Sequence, residues 1–216
     1  MKTYMSILLV VTGFVLSSCT TSIVVMDDYT DIAFLDKKLT IVKLYDEPEI
    51  GIPEDVTEDL GEGKPAEVFQ KYFESDLIRN FQIYSSLNRI EVGTLDSKSD
   101  LNEVNLEWSE NRNFTAYLPD AESKTLFLDS DFILFLNDLQ INKTSQRGAI
   151  LDNYDDVLLT KLEFTFWDNM HGKLVSYGEI DESTLASGSL SKNEWNETVK
   201  KIAITLLLNS PLKKVY

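Results

Sequence analysis

The 216-residue chain contains one cysteine and one histidine. A single cysteine excludes an intrachain disulfide, so a folded domain must be held by its core alone. One histidine, His171, rules out a histidine-rich zinc site and leaves one imidazole for acid–base or nucleophilic chemistry. Basic residues are also scarce. Twenty Lys and Arg stand against 36 Asp and Glu, a formal net charge of −16. Such a surface repels nucleic-acid phosphates and anionic headgroups, so no nucleic-acid partner is expected. There is no G-x-G-x-x-G and no P-loop. No repeat of fixed period occurs, and no apolar run reaches the roughly 20 residues that cross a bilayer. No cofactor and no metal site is expected.

The clearest signal lies at the start. Lys2 supplies a positive charge, and Met5 to Leu16 is apolar apart from Ser6, Thr12 and Gly13. Leu16-Ser17-Ser18-Cys19 follows. This resembles the lipobox of bacterial lipoprotein precursors: a branched apolar residue, two small residues, then cysteine. The resemblance implies a signal peptide over 1–18, cleavage before Cys19, and acylation of Cys19. Several acyl chains, at about 0.8 kcal/mol per buried methylene, anchor a protein stably to the membrane. The net charge becomes −17 once Lys2 leaves with the signal. In lipoproteins of this type an Asp after the cysteine retains the protein at the inner membrane. Thr20 stands there instead, which favours the outer membrane, and the periplasmic face is the expected side. Residues 19–36 read as the lipidated cysteine and a tether that would reach some tens of ångströms if extended. The patch Ile23-Val24-Val25-Met26 within it could instead pack on the domain. Residues 37–216 read as a single domain, with 43% hydrophobic residues to supply its core.

Lys38 to Tyr45 alternates with apolar residues on both faces, as in a strand inside a sheet. Asp46 to Glu62 holds eight acidic and no basic residues, with Pro48, Pro53, Gly51 and Gly61, and reads as a long mobile loop. It lacks the residue order of a calcium loop. Pro65 suits a helix first turn, and Phe69, Phe73, Leu77 and Phe81 recur at helical spacing to about residue 80 or slightly beyond. Arg89 to Leu95 predicts a strand. The polar stretch 97–120 reads either as a strand or as an insertion covering a sheet edge, and a short strand is expected over 124–128. Phe132 to Ile141 predicts a central strand, with Gln146-Arg147-Gly148 and Asp152 to Asp156 as loop. Leu158–Trp167 and Lys173–Ile180 flank the turn Asp168-Asn169-Met170-His171-Gly172 and predict a β-hairpin. Ser191 and Glu194 match a capping box opening a helix over 192–208, whose Trp195, Ile202 and Leu206 should pack on Phe135 and Phe164. The class is therefore α+β: a largely antiparallel or mixed sheet with two amphipathic helices packed on it.

This order resembles a group of envelope lipoproteins. The group includes auxiliary lipoproteins of lipid-transport ABC systems, lipoprotein activators of penicillin-binding proteins, and the amino-terminal domain of the curli-secretion lipoprotein. The residues that carry the likeness are the lipobox, Asp131-Phe132-Ile133-Leu134-Phe135-Leu136 opening a central strand, and the hairpin Phe166-Trp167-Asp168 to Gly172-Lys173-Leu174. The resemblance implies a non-enzymatic binding or scaffolding module serving another envelope component. Trp167, Asp168, Gly172 and Lys173 are the candidate partner-contact residues, beside a hairpin strand that could form a sheet edge.

Catalytic chemistry has few candidates. His171 falls in a turn with no evident partner acid, and Cys19 is committed to lipid. The neighbouring carboxylates Asp129 and Asp131, and Asp155 and Asp156, keep open the alternative of a lipid-anchored hydrolase using paired acids.

Overall fold

A computed structural model describes residues 22–95, 100–109, 112–120, 129–147, 154–186 and 190–214. The signal segment, Cys19 and the strand expected over 124–128 lie outside the described residues. The domain is α+β, with a mixed sheet of seven strands. The strands are β1 (Ser22–Val25), β2 (Lys38–Lys43), β3 (Glu49–Ile50), β4 (Arg89–Gly93), β7 (Phe132–Arg147), β8 (Tyr154–Asp168) and β9 (Lys173–Ala186), in the order β1-β9-β8-β7-β2-β4. β3 lies beside β7 past the end of β2. β2 is parallel to both β4 and β7, whereas β7, β8, β9 and β1 pair antiparallel.

The helices α2 (Pro65–Tyr84) and α3 (Lys192–Leu208) lie on one face, as their periodicity predicts. Pro65 opens α2, and the Ser191–Glu194 capping box opens α3. Phe69, Phe73, Leu77 and Phe81 of α2 meet Trp195, Val199, Ile202 and Leu206 of α3 in one core with Phe164 and Phe166 of β8. Phe69 and Trp195 meet at a tilt of 55° with their ring centres 5.8 Å apart, and the Tyr72 hydroxyl donates to Asn196 Oδ1 at 2.6 Å. Phe135 is not part of this core. It lies on the opposite face with Ile133. The pairing shifts between Leu136 and Asp138, and this bulge exchanges the faces of β7. Phe132, Leu134 and Leu136 point to the helices before it, and Leu139 and Ile141 after it.

Three other expectations are corrected. The acidic stretch 46–62 is not a loop throughout, because α1 (Pro53–Leu60) occupies its centre. Pro53 pre-sets the first turn, and Glu54 and Asp55 complement the positive end of the helix dipole. Val56 is fully buried, Lys143 binds Asp55 at 2.9 Å, and Trp195 Nε1 donates to Asp59 at 2.9 Å. The supposed loops around 146–147 and 154–156 are instead the ends of β7 and β8, paired Arg147 to Tyr154. The stretch 97–120 contributes a separate two-stranded ribbon, β5 (Leu101–Ser109) and β6 (Arg112–Pro119). This ribbon covers the sheet face opposite the helices. Leu101 packs with Val42, Ile133 and Phe135, and Phe114 and Ala116 pack with Tyr177.

Within the stretch 19–36, expected as lipidated cysteine and tether, the described residues begin as a strand. Residues 22–25 are β1, in register with β9 from Ser22 opposite Glu179 to Val25 opposite Ser176. A 3-10 turn, Asp27–Tyr29, follows with Tyr29 buried. The apolar patch therefore packs on the domain and covers the β9 edge nearest the hairpin turn.

Candidate functional site

The hairpin turn between β8 and β9 is built around Asp168. As the last residue of β8 it is 1% exposed, and both carboxylate oxygens are engaged. Oδ1 accepts the His171 backbone N–H at 2.9 Å, while Oδ2 accepts the Tyr29 hydroxyl at 2.9 Å and faces His171 Nδ1 at 2.8 Å. A carboxylate only accepts, so His171 carries its proton on Nδ1 and turns Nε2 to solvent. Gly172 closes the turn with φ at 65°, its N–H donating to the Asp168 carbonyl at 2.9 Å. Lys173 reaches Asp28 at 2.9 Å, and this contact pushes its ammonium pKa up.

The neighbouring strand starts are fastened to the same turn. The Asp131 Oδ2 accepts the Lys38 N–H at 2.8 Å, and the Asp131 carbonyl accepts the Asn169 N–H at 2.9 Å. Asn169 also donates to the Ser130 carbonyl at 3.0 Å, and the Ser130 and Thr40 hydroxyls are hydrogen-bonded to each other. Lys37 Nζ lies 3.4 Å from Asp131 Oδ1, 3.7 Å from Met170 Sδ and 5.6 Å from the Phe34 ring centre. Loop 30–37 and the turn therefore share one braced end of the sheet. That end exposes Ile32 (41%), Leu35 (58%) and Met170 (59%).

Of the four residues expected to contact a partner, Gly172 and Lys173 are exposed, whereas Trp167 and Asp168 are buried. Trp167 packs with Val42, Ile133 and Phe135. Asp168 accepts hydrogen bonds within the turn itself. The expectation that His171 lacks a partner acid is corrected, since Asp168 is that acid. Tyr29 is the residue the sequence did not reveal. It bonds Asp168 from 139 positions away, and no local pattern announces such a pair.

The network favours rigidity over proton transfer. Burial, and then the hydrogen bond to Asp168 and its charge, push the Tyr29 phenol well above its ordinary pKa. It stays protonated and makes a poor nucleophile. Three of the four carboxylates of the expected pairs have described surroundings. Asp131 is occupied by Lys37 and the Lys38 N–H, and Asp129 is exposed beside it. Asp156 accepts the Ser145 hydroxyl at 2.9 Å. Among the described residues, no group of three or more His, Cys, Asp or Glu side chains could hold a metal ion. None of their helices is long and apolar enough to cross a membrane.

A second polar cluster lies on the sheet face beyond the β5–β6 ribbon. Lys161 Nζ sits 2.6 Å from Glu179 and 3.6 Å from Glu163. Burial raises the Glu163 pKa. Lys161 opposes this, and the charges of Asp138 and Glu179 add to it.

No family model matches the chain, and no curated protein matches it. Several solved structures are similar to it at low identity. A PelC dodecamer from Paraburkholderia phytofirmans is 11% identical over 85% of this chain and 93% of that chain, with a TM-score of 0.40. The protein CT253 from Chlamydia trachomatis is 11% identical over 82% of this chain and 98% of that chain, with a TM-score of 0.45. A minor lipoprotein from Acinetobacter baumannii is 10% identical over 79% of this chain and 88% of that chain, with a TM-score of 0.33.

Proposed function

We propose that this chain is a lipid-anchored bacterial envelope protein, held by acyl chains on Cys19 at the periplasmic face of the outer membrane. Its domain is a non-enzymatic docking module for another envelope protein. The observation that carries the docking reading is the braced end of the sheet. Its buried polar groups serve to hold it rigid, while Met170, Leu35 and Ile32 are left exposed. An ordered apolar surface at a fixed position suits protein recognition, and methionine adapts readily to a partner's contour. The hydrolase alternative requires two carboxylates free to act, and Asp131 is already committed on both oxygens.

The test is site-specific photo-crosslinking in cells, with the probe at Met170 or at Glu58 on the exposed acidic side of α1. The expected result is an adduct from position 170 that survives raised salt. An adduct from position 58 alone, fading with salt, would show that the acidic segment is the docking element and would overturn this reading.

A further inference from the structure

We infer that the β1 edge of the domain is seated directly on the lipid bilayer, with no free tether between them. This rests on the proposed acylation of Cys19. Only Thr20 and Thr21 separate that cysteine from Ser22, the first residue of β1. Three peptide units span at most about 11 Å in any conformation. Acyl chains on Cys19 must enter the hydrocarbon, which places the cysteine in the interfacial layer. That layer is itself roughly 5–8 Å thick on each side of the core. Ser22 therefore lies within one short leash of the headgroups.

The argument holds as long as β1 stays in the sheet, and several contacts keep it there. The Ser22 carbonyl accepts Trp108 Nε1 at 2.8 Å. Trp108 packs edge-on against Phe114 at 5.9 Å, and Phe114 lies 5.4 Å from Tyr177 in β9. The Tyr177 hydroxyl donates to the Glu107 carbonyl, which fastens the ribbon to the sheet beside the anchor point. Met26 continues the pairing by donating to the Val175 carbonyl at 2.9 Å. Opposite Ile23, Gly178 adopts φ 146°, and a Cβ there would collide with the Ser22 carbonyl oxygen. A glycine at this position permits the close approach of β1.

Two consequences follow. The bilayer covers the β1 edge and the neighbouring end of the β5–β6 ribbon, which closes them to protein partners. In addition, β4 lies five strand spacings from β1, about 24 Å at 4.8 Å each, so the sheet presents its far edge away from the lipid. The acidic surface supplies no attraction to anionic lipid, so the contact depends on the leash and not on charge.

Neutron reflectometry of the purified acylated protein on a supported phosphatidylcholine bilayer tests this. Mass spectrometry of Cys19 is done first. An unmodified cysteine would defeat the anchoring proposal itself. With acylated protein, the protein layer is expected to begin within about 10 Å of the headgroups. Inserting 12 Gly and Ser residues between Thr21 and Ser22 should open a hydrated gap approaching 20 Å, the root-mean-square span of such a linker. Amide exchange at Val24 and Met26 checks that the inserted variant keeps β1 docked. If the acylated parent protein already shows a hydrated gap of 20 Å or more, β1 has left the sheet or the domain hangs free, and the inference is overturned.

Discussion

β1 and β4 both end the same sheet, yet they are held in opposite ways. β1 is four residues long and gains a partner on each side of its backbone plane: β9 in the ladder and Trp108 of the ribbon at its first carbonyl. β4 is one residue longer and, among the described residues, pairs in the ladder with β2 alone, with Ile90 packed on the core, an Arg89–Glu91 pair at its surface and Val92 45% exposed. An open edge strand offers unpaired backbone groups that invite pairing with another chain, and shortness limits this. Here the β1 edge is short and clamped, while among the described residues no strand pairs with the outer side of β4. If Cys19 is acylated as proposed, the clamped edge would pass the position of that anchor to the domain.

The clamp can be broken most directly at Gly178. In Gly178→Val the new side chain meets the Ser22 carbonyl at a φ that side chains rarely adopt. Strain and overlap together should cost about 2–4 kcal/mol. The signature that separates loss of the clamp from general unfolding is amide exchange. Val24 and Met26 should exchange fast, while the α2 and α3 amides stay protected. Protected β1 amides in this variant would show that the close approach is not what holds the strand.

Tyr29 ties the segment after β1 to the hairpin turn. Tyr29→Phe leaves Asp168 Oδ2 with His171 Nδ1 as its partner and should cost about 1–3 kcal/mol. The effect depends on pH, and its sign is fixed. The phenol pKa is raised above the ordinary 10.0 in the folded state, so the folded chain holds this proton more tightly than the unfolded chain. The contribution is complete below pH about 10 and is lost as pH rises toward the folded value. Urea unfolding at pH 7 and pH 11 should therefore show the gap between parent and variant narrowing at pH 11. A widening gap would contradict the assigned cause.

Trp108→Phe keeps most of the packing on Phe114 but removes the hydrogen bond to Ser22. It should cost about 1 kcal/mol. The loss should appear as faster exchange at the start of β1 with the ribbon still docked. Unchanged exchange there would mean that the ladder to β9 suffices and the ribbon does not contribute to the clamp.

The two edges also differ in how far the sequence announced them. Elements that carry their own periodicity were legible: α2 from its aromatic stripe, α3 from its capping box, and the β8–β9 hairpin from alternation around Gly172. β4 was legible as Arg89 to Leu95, two residues longer than it is. β1 was not, because four residues in a polar stretch become a strand only when β9 and Gly178 are there to receive them. α1 was hidden for a similar reason. Its helix depends on Val56 reaching the core and on Asp55 and Asp59 meeting Lys143 and Trp195 from distant parts of the chain. At the candidate site the Asp168–Gly172 turn was legible, but the burial of Asp168 beneath Tyr29 was not. The five-residue apolar run of β7 correctly signalled burial on both faces, and the bulge then determined which residue met which layer.

The smallest expected effect on stability lies at the far edge, and it is also the test of what that edge is for. Val92 pairs with Ile41, and nearly half of its surface is in solvent. Val92→Lys exchanges an exposed apolar side chain for one that stays hydrated, so the change should remain within about 0.5 kcal/mol. A lysine on an edge strand nevertheless obstructs the approach of another strand, because the incoming chain would have to desolvate the ammonium. The two candidate docking surfaces therefore separate cleanly. If the partner adds a strand at β4, Val92→Lys should abolish the crosslink from position 170 in a protein of normal stability, since both probes report one complex. If docking uses only the braced turn end, the crosslink should persist after Val92→Lys and disappear after Leu35→Asp. Persistence after both substitutions would exclude the far edge and the exposed apolar tip alike, and would return the search to the sheet face around Lys161.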